Sequence, residues 1–253
     1  MHRSYIVFTA ILLVILAGGF FLPAVKAASS PQGKLYLVQK NIHPKSERFQ
    51  GSILDEMKQR FLRDVTGNSL ATIVLLGMVA SLVLVTYNFV MGDPEQAKPW
   101  PRWVIPLLAV LGMGVAIYMS FVETTKVAAF CGPIGDCNSV QKSEYAHIFG
   151  ILPVGVLGLL GYFAILAAWI VQLFTSERLR NLIWVAIWGM AVFGVLFSIY
   201  LTFLEPFVIG ATCIWCISSA IIITLLLWAS TPLAKLATSS AEELQDEYPL
   251  PNA

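Results

Sequence analysis

The four cysteines of this 253-residue chain fall into two pairs: Cys131 and Cys137 in AAFCGPIGDCNSV, and Cys213 and Cys216 in ATCIWCISSAIIITLLLW. Each pair lies just outside a long apolar run, so all four sulfurs are candidates for one site. Residues three apart at a helix start have Cα atoms about 5 Å apart, inside the range a disulfide tolerates. Cys213 and Cys216 can therefore open and close as a pair. The free N–H groups and positive dipole end of such a start favour a thiolate at Cys213. Cys216, one turn deeper, is expected at the edge of the hydrocarbon, where a lipid-soluble reactant can reach it and a protein cannot. Cys131 and Cys137 enclose Gly132, Pro133 and Gly135, which break helix and strand. A pair on a pliable loop can exchange with a soluble protein thiol and then attack the second pair. Asn138 and Ser139 are expected to cap a short helix over 140–150, fixing Cys137 and leaving Cys131 outward.

Other chemistries stay open on spacing alone. Four thiolates can hold a structural zinc, but such sites use two tight Cys-x₂₋₄-Cys knuckles and the first pair here encloses five residues. Two inert disulfides could pin outer loops, giving a non-catalytic membrane protein. Four unpaired core cysteines would have no reason to gather on one side of a membrane.

The positioning elements follow from composition. With 57% hydrophobic and 12% charged residues, the chain is far more apolar than a soluble domain, which carries about 25% charge. Its formal net charge of +1 and lack of a dense basic run argue against nucleic acid as a partner. Five stretches match the roughly 20 apolar residues needed to cross a bilayer: Ser69 to Met91, Trp103 to Val122, Gly150 to Phe174, Leu182 to Leu204 and Cys213 to Ser230. None contains Asp, Glu, Lys or Arg, which also argues against an ion channel or transporter. Continuous apolar runs without period-2 alternation select helices over barrel strands. The fold expected is all-α and integral to the membrane, in contact with its lipid.

Residues 1–28 combine a basic start, an apolar middle and a small-residue exit, which predicts a signal peptide or an anchor. Export of 29–68 then places both cysteine pairs on the outer side by alternation, and the basic residues of the remaining loops fall mostly inside. Leu54, Met57, Phe61 and Val65 predict an amphipathic helix, with Ser52 as cap and Gly67-Asn68 as stop. Residues 69–91 form an extra span, and 232–253 read as a disordered acidic cytoplasmic tail. Glu123, Asp136 and Glu205 read as solvated loop charges, and His147 as an interfacial histidine. Gly155, Gly158 and Gly161 read as a packing stripe or as room for a ligand, Pro153 as a helix kink, and Trp103 and Trp215 as interfacial anchors.

Residues 100–231 resemble the vitamin K epoxide reductase family, including its bacterial members. The resemblance rests on Cys131-x₅-Cys137, then Val140, Ser143, Gly150 and Pro153, then Cys213-x-x-Cys216 opening the final helix. It implies a four-helix catalytic bundle that binds a quinone of ubiquinone or menaquinone type near the outer membrane surface. It implies a DsbB-like thiol oxidase acting on a secreted thioredoxin-fold, DsbA-like partner, in a plasma (inner) membrane with the site facing the periplasm or exterior. Carried over, Cys131 exchanges with the partner, Cys137 forms a transient disulfide with Cys213, and Cys216 faces the quinone beside Trp215. Ser143 matches a family serine near the loop cysteines. Epoxide-reducing members hold the quinone oxygens with an Asn and a Tyr whose matching positions here are Ala146 and Ala220, so quinone reduction coupled to disulfide formation is the expectation. No thioredoxin-like domain follows the bundle, so the partner is expected as a separate protein.

Overall fold

The structure, a computed structural model, describes residues 54–92, 100–132, 135–148 and 152–247. Contacts divide the chain into Met1–Glu56 and Met57–Ala253, and the second unit carries the fold and the site. A short helix, α1, runs over 54–61. Among the described residues, five helices are long and apolar enough to cross a membrane: α2 (Val65–Met91), α3 (Val104–Thr125), α5 (Val154–Val171), α6 (Glu177–Leu204) and α7 (Ile214–Glu247). Between α3 and α5 lie the one-turn helix α4 (Cys137–Gln141) and a two-residue antiparallel ladder, β1 (His147–Ile148) with β2 (Leu152–Pro153). The all-α membrane architecture expected from the apolar runs is the one observed.

In hydrocarbon the backbone must bond to itself, so each apolar run becomes a helix and its side chains divide between neighbours and lipid. α7 is the hub, packed against α6, α3 and α2, while α5 packs on α3. Ile187, Val195, Leu226 and Leu227 are fully buried between these helices, whereas Ile73, Leu76, Val83, Phe163 and Phe174 face outward as a lipid-facing surface. Phe89 of α2 stacks on Trp188 of α6 at 4.4 Å between ring centres, joining the extra span to the bundle.

Several boundaries differ from the sequence reading. Gly67-Asn68 does not stop the amphipathic helix. A turn over 62–64 does, and α2 then starts at Val65, four residues before the expected span. The reason is Asp64, whose carboxylate accepts the Gly67 N–H at 3.0 Å as the N-cap of α2. A Cβ on Gly67 would collide with that carboxylate, so the glycine makes room for the cap. Val65 accordingly belongs to α2, and the expected cap Ser52 lies outside the described residues. Pro153 does not kink a helix; it is the residue before the first turn of α5, where a missing N–H costs nothing. α6 begins at Glu177 and draws Arg178 and Arg180 into its first turn.

The stretch 232–247, read as disordered tail, continues α7. Pro232 sits inside the helix, but Leu233 and Ala237 extend the buried apolar face, and that burial outweighs the lost backbone bond. Lys235 Nζ donates to the Asn88 carbonyl at 2.6 Å, so a cation satisfies the last turn of α2.

The segment before the bundle is docked on the approach to Cys213. Asn68, fully buried, donates through Nδ2 to the Phe61 carbonyl at 2.9 Å and accepts through Oδ1 from the Thr212 hydroxyl at 2.9 Å. The Arg60 guanidinium donates to the Val208 carbonyl, and Phe61 stacks on Phe207 at 6.2 Å. Asn68→Ala would strand the buried Thr212 hydroxyl, a loss of about 1–3 kcal/mol. The expected result is a clearly lowered thermal unfolding midpoint in detergent, and an unchanged midpoint would show that the Asn68–Thr212 bond adds nothing.

Candidate active site

Cys213 is positioned by how α6 ends. Glu205–Ile209 form one wide π turn in which Gly210 N–H reaches back to the Glu205 carbonyl at 2.8 Å. Pro206 at its start has no N–H to give the preceding turn, which favours such a widening. Gly210 takes φ +78°, and a Cβ there would press on the Arg60 backbone. The chain then extends to Cys213, whose carbonyl accepts the Ile217 N–H at 3.0 Å and so caps α7. Cys213 is fully buried, Cys216 partly so, and both thiols are free. The Cys216 thiol faces the Cys213 sulfur, as do the backbone N–H groups of Cys216 and Trp215. Together they hold the Cys213 thiol below its ordinary pKa.

The other pair is bonded: Cys131 and Cys137 form a disulfide with Cα atoms 5.9 Å apart. Cys137 opens α4 and is fully buried, while Cys131 is the more exposed partner. Asn138 and Ser139 do not cap this helix. Asp136 does, accepting the Ser139 N–H at 3.1 Å. The Ser139 hydroxyl also donates to the Asp136 carboxylate and holds it below the usual range. Asn138 instead ties the two arms of the loop, accepting from Ala129 N–H at 2.8 Å and donating to the Ala129 carbonyl at 3.4 Å. α4 ends at Gln141, well short of the helix expected to 150, and the Ser143 hydroxyl donates to the Val140 carbonyl at 2.6 Å at that end.

Two contacts bring the hairpins together. The Phe130 N–H donates to the Tyr118 hydroxyl at 2.8 Å, and its carbonyl accepts the Trp215 indole N–H at 2.9 Å. Tyr118 and Trp215 stand 4.4 Å apart, so an aromatic pair clamps the residue next to Cys131. Trp215 is thus tied to the loop rather than simply anchored at an interface. On the opposite arm, Gly135 at φ +87° lies against the Thr212 carbonyl, where any Cβ would overlap it. The result is one apolar cluster in which Cys137 and Cys213 are both fully buried among Met119, Val122 and Val140, with Cys131 and Cys216 at its margin.

A cavity of about 520 Å³ opens beside this cluster. Cys216 and Trp215 line it, together with Met119, Phe193, Tyr162 and Ser219. The Tyr162 hydroxyl lies 3.0 Å from both the Ser219 carbonyl and the Ser219 hydroxyl. Ala220 and Ala146, expected at the cofactor site, do not line the cavity. Ala220 is buried in the helix core, and Ala146 is buried in the 3-10 turn after α4. Ser219, three residues after Cys216, lines the cavity with Trp215, Cys216 and Ile223 of the same helix. The glycine stripe divides: Gly155 sits against the α3 backbone at Met119 and Ser120, with no space for a Cβ, whereas Gly161 has open space in the cavity wall. The His147 side chain lies outside the described residues.

The carboxylates are the largest departure. Glu205 is not solvated; it is 2% exposed, and its carboxylate accepts the Cys213 N–H at 3.3 Å and faces the Cys216 thiol. Glu123, half-buried at the end of α3, accepts the Gly155 N–H at 2.9 Å and lines the cavity. Asp136 alone of the three is exposed.

A bonded pair and a free pair buried in one cluster at one end of a helical bundle, beside an apolar cavity, define a multi-pass membrane protein built for thiol–disulfide exchange. The vitamin K epoxide reductase family model matches residues 103–231, from the start of α3 to the middle of α7. The chain belongs to that family, whose members are membrane thiol–disulfide oxidoreductases linked to quinone.

Gly135→Ala places an L residue in a left-handed conformation costing roughly 1–2 kcal/mol and drives a methyl into Thr212. Since 1.4 kcal/mol is tenfold in rate, exchange between Cys137 and Cys213 should slow by about tenfold or more. Acid quench and peptide mass analysis would read this, and an unchanged rate would mean the two segments need no close contact.

Proposed function

We propose that the protein oxidises the dithiol of a separate thioredoxin-fold, DsbA-like protein and passes the two electrons through Cys131/Cys137 and Cys213/Cys216 to a membrane quinone of ubiquinone or menaquinone type. The observation that carries this reading is the burial of Cys137 and Cys213 in one cluster, with Cys131 on its accessible side and Cys216 on its cavity side. The partner's thiolate attacks Cys131, breaking the loop disulfide and releasing Cys137. The partner's second thiol then leaves with its own disulfide, and two electrons remain on the loop pair. Cys137 attacks Cys213 of the oxidised second pair, freeing Cys216, and Cys131 closes the loop disulfide again.

The residues present fit a quinone: 520 Å³ lies within the range of small-molecule sites, the walls are apolar, and the Tyr162 and Ser219 hydroxyls supply polar contacts. Cys216, Trp215, Tyr162 and Ser219 would hold it. When bound, a quinone supplies the oxidising power, accepting two electrons and two protons. Alanines at positions 146 and 220 leave no side-chain hydroxyl or amide at the places where epoxide-reducing relatives have one, in keeping with quinone rather than epoxide chemistry.

The cysteine end of the bundle would face the periplasm or exterior of a plasma (inner) membrane, behind an export signal or anchor in 1–28. Segment 29–68 would lie on the same side, and 232–253 would end in the cytoplasm. The catalytic bundle is assigned to 100–231 and the extra span to 69–91.

The test is quinone reduction by the purified protein with a reduced DsbA-like donor, comparing wild type with each Cys→Ala variant. Each variant should lose turnover, and Cys216→Ala should accumulate a Cys137–Cys213 disulfide. Turnover surviving in Cys213→Ala or Cys216→Ala, or labelling that puts the two pairs on opposite sides of the membrane, would overturn the reading.

A further inference from the structure

The exchange just described leaves one proton unassigned. When Cys137 attacks the Cys213–Cys216 disulfide, the S–S bond breaks and Cys216 departs as a thiolate, away from bulk water and in a medium that penalises an uncompensated charge. When Cys216 later attacks to close the pair again, the same proton must leave. The group nearest this event is a carboxyl that the relay does not otherwise use. Glu205 is held by the π turn with 2% exposure, its oxygen takes the Cys213 N–H at 3.3 Å, and it faces the Cys216 thiol. Its backbone carbonyl accepts the Gly210 and Ala211 N–H groups at 2.8 and 3.2 Å, which holds the turn that carries the side chain.

We propose that Glu205 is a catalytic acid and base for this pair, giving its proton to Cys216 as the disulfide opens and taking it back as the disulfide closes. The step balances within the chain. Cys137 thiolate and the Cys213–Cys216 disulfide give a Cys137–Cys213 disulfide and Cys216 thiolate. Glu205 in its acid form then protonates that thiolate and becomes a carboxylate. The Cys213–Cys216 bond breaks as the Cys137–Cys213 bond forms, no net electron leaves, and one proton moves from oxygen to sulfur. In the arrangement seen here the loop disulfide is closed and both Cys213 and Cys216 are free, the state reached after Cys131 has displaced Cys213 from Cys137, and the Cys216 sulfur faces the carboxyl. The titratable and charged groups around it are Cys213 and Cys216 on α7, Glu123 on α3 and Arg60 on α1, whose guanidinium donates to the Val208 carbonyl in the same turn.

The inference rests on the proposed Cys137 to Cys213 transfer, but its test needs neither quinone nor protein partner. In a Cys131→Ala background, Cys137 keeps a single thiol that exchanges with the Cys213–Cys216 disulfide, and acid quench followed by peptide mass analysis reads the rate. General acid–base groups contribute about 10²–10⁴-fold, so Glu205→Gln should slow exchange by roughly 100-fold at neutral pH. Glu205→Asp, which keeps a titrating group, should restore part of it. In the Gln variant the closing direction should recover as pH rises, because solvent then removes the Cys216 proton. Infrared difference spectra of the Glu205-containing protein should carry a carboxylic acid band that changes with exchange, a measurement that stands even if the Gln variant fails to fold. Exchange at the parent rate in Glu205→Gln, or a carboxyl band indifferent to exchange, would overturn the proposal. Glu205-dependent exchange in a protein that never reduces quinone would instead sink the proposed function and leave this inference in place.

Discussion

Gly135 and Thr212 touch where there is no room for even a methyl group, although they belong to different connections of the bundle. Gly135 is two residues before Cys137, and Thr212 is the residue before Cys213, so this contact joins the two segments whose sulfurs are buried in one cluster. Thiol exchange needs the attacking sulfur close to and in line with the bond it breaks, and holding reactants so replaces a bimolecular encounter with an intramolecular one. The clamp on Phe130 by Tyr118 and Trp215 fixes the far arm of the same loop. The loop is therefore pliable in sequence yet pinned at both shoulders, next to Cys131 on one side and two residues before Cys137 on the other.

The side on which each sulfur lies follows from helix geometry. Cys213 caps α7 in the dry cluster, and Cys216, three residues on, emerges on the face that borders the cavity. One residue pair thus spans two environments, Cys213 in the buried cluster and Cys216 on the cavity wall. The bundle maintains this separation because α7 is gripped by α6, α3 and α2 at once. α2 lies wholly outside the matched stretch 103–231, and through Asn68 it fixes Thr212 all the same. The extra span is therefore part of the scaffold of the site and more than a membrane tether.

Much of this was legible in the sequence. The four cysteines, their grouping and the five spans could be read because sulfur spacing and apolar run length translate directly into geometry. What escaped depends on tertiary context. Glu205 and Glu123 stand at the ends of apolar runs, where a charge is ordinarily solvated; only the π turn at Pro206 and the N–H of Gly155 bring their carboxylates inward. Ala220, which the family resemblance matches to a quinone-holding position, lies in the helix core, while its neighbour Ser219 lines the cavity. Asp136 caps the helix that Asn138 and Ser139 were expected to cap, and Asp64 caps α2 at the place where Gly67-Asn68 was expected to stop the helix before it, because a side chain becomes a cap only when the backbone around it is in place. The persistence of α7 beyond Pro232 reflects partners on other helices, Lys235 with Asn88 among them.

A buried carboxylate beside two thiols looks at first like a flaw, because every anion in that pocket raises the cost of making another. It becomes reasonable once the pair is considered through a cycle. The two sulfurs differ in surroundings: Cys213 has N–H groups directed at it, whereas Cys216 has no such donors and faces a carboxyl instead. In the proposed cycle, the carboxyl is then the group placed to give and take the Cys216 proton. A hydrophobic residue at 205 would pack as well, but it would leave the Cys213 N–H without its acceptor and Cys216 without a partner for its proton. The carboxyl buried there is thus the part of the site that the fold has least reason to keep and the proposed exchange chemistry has most.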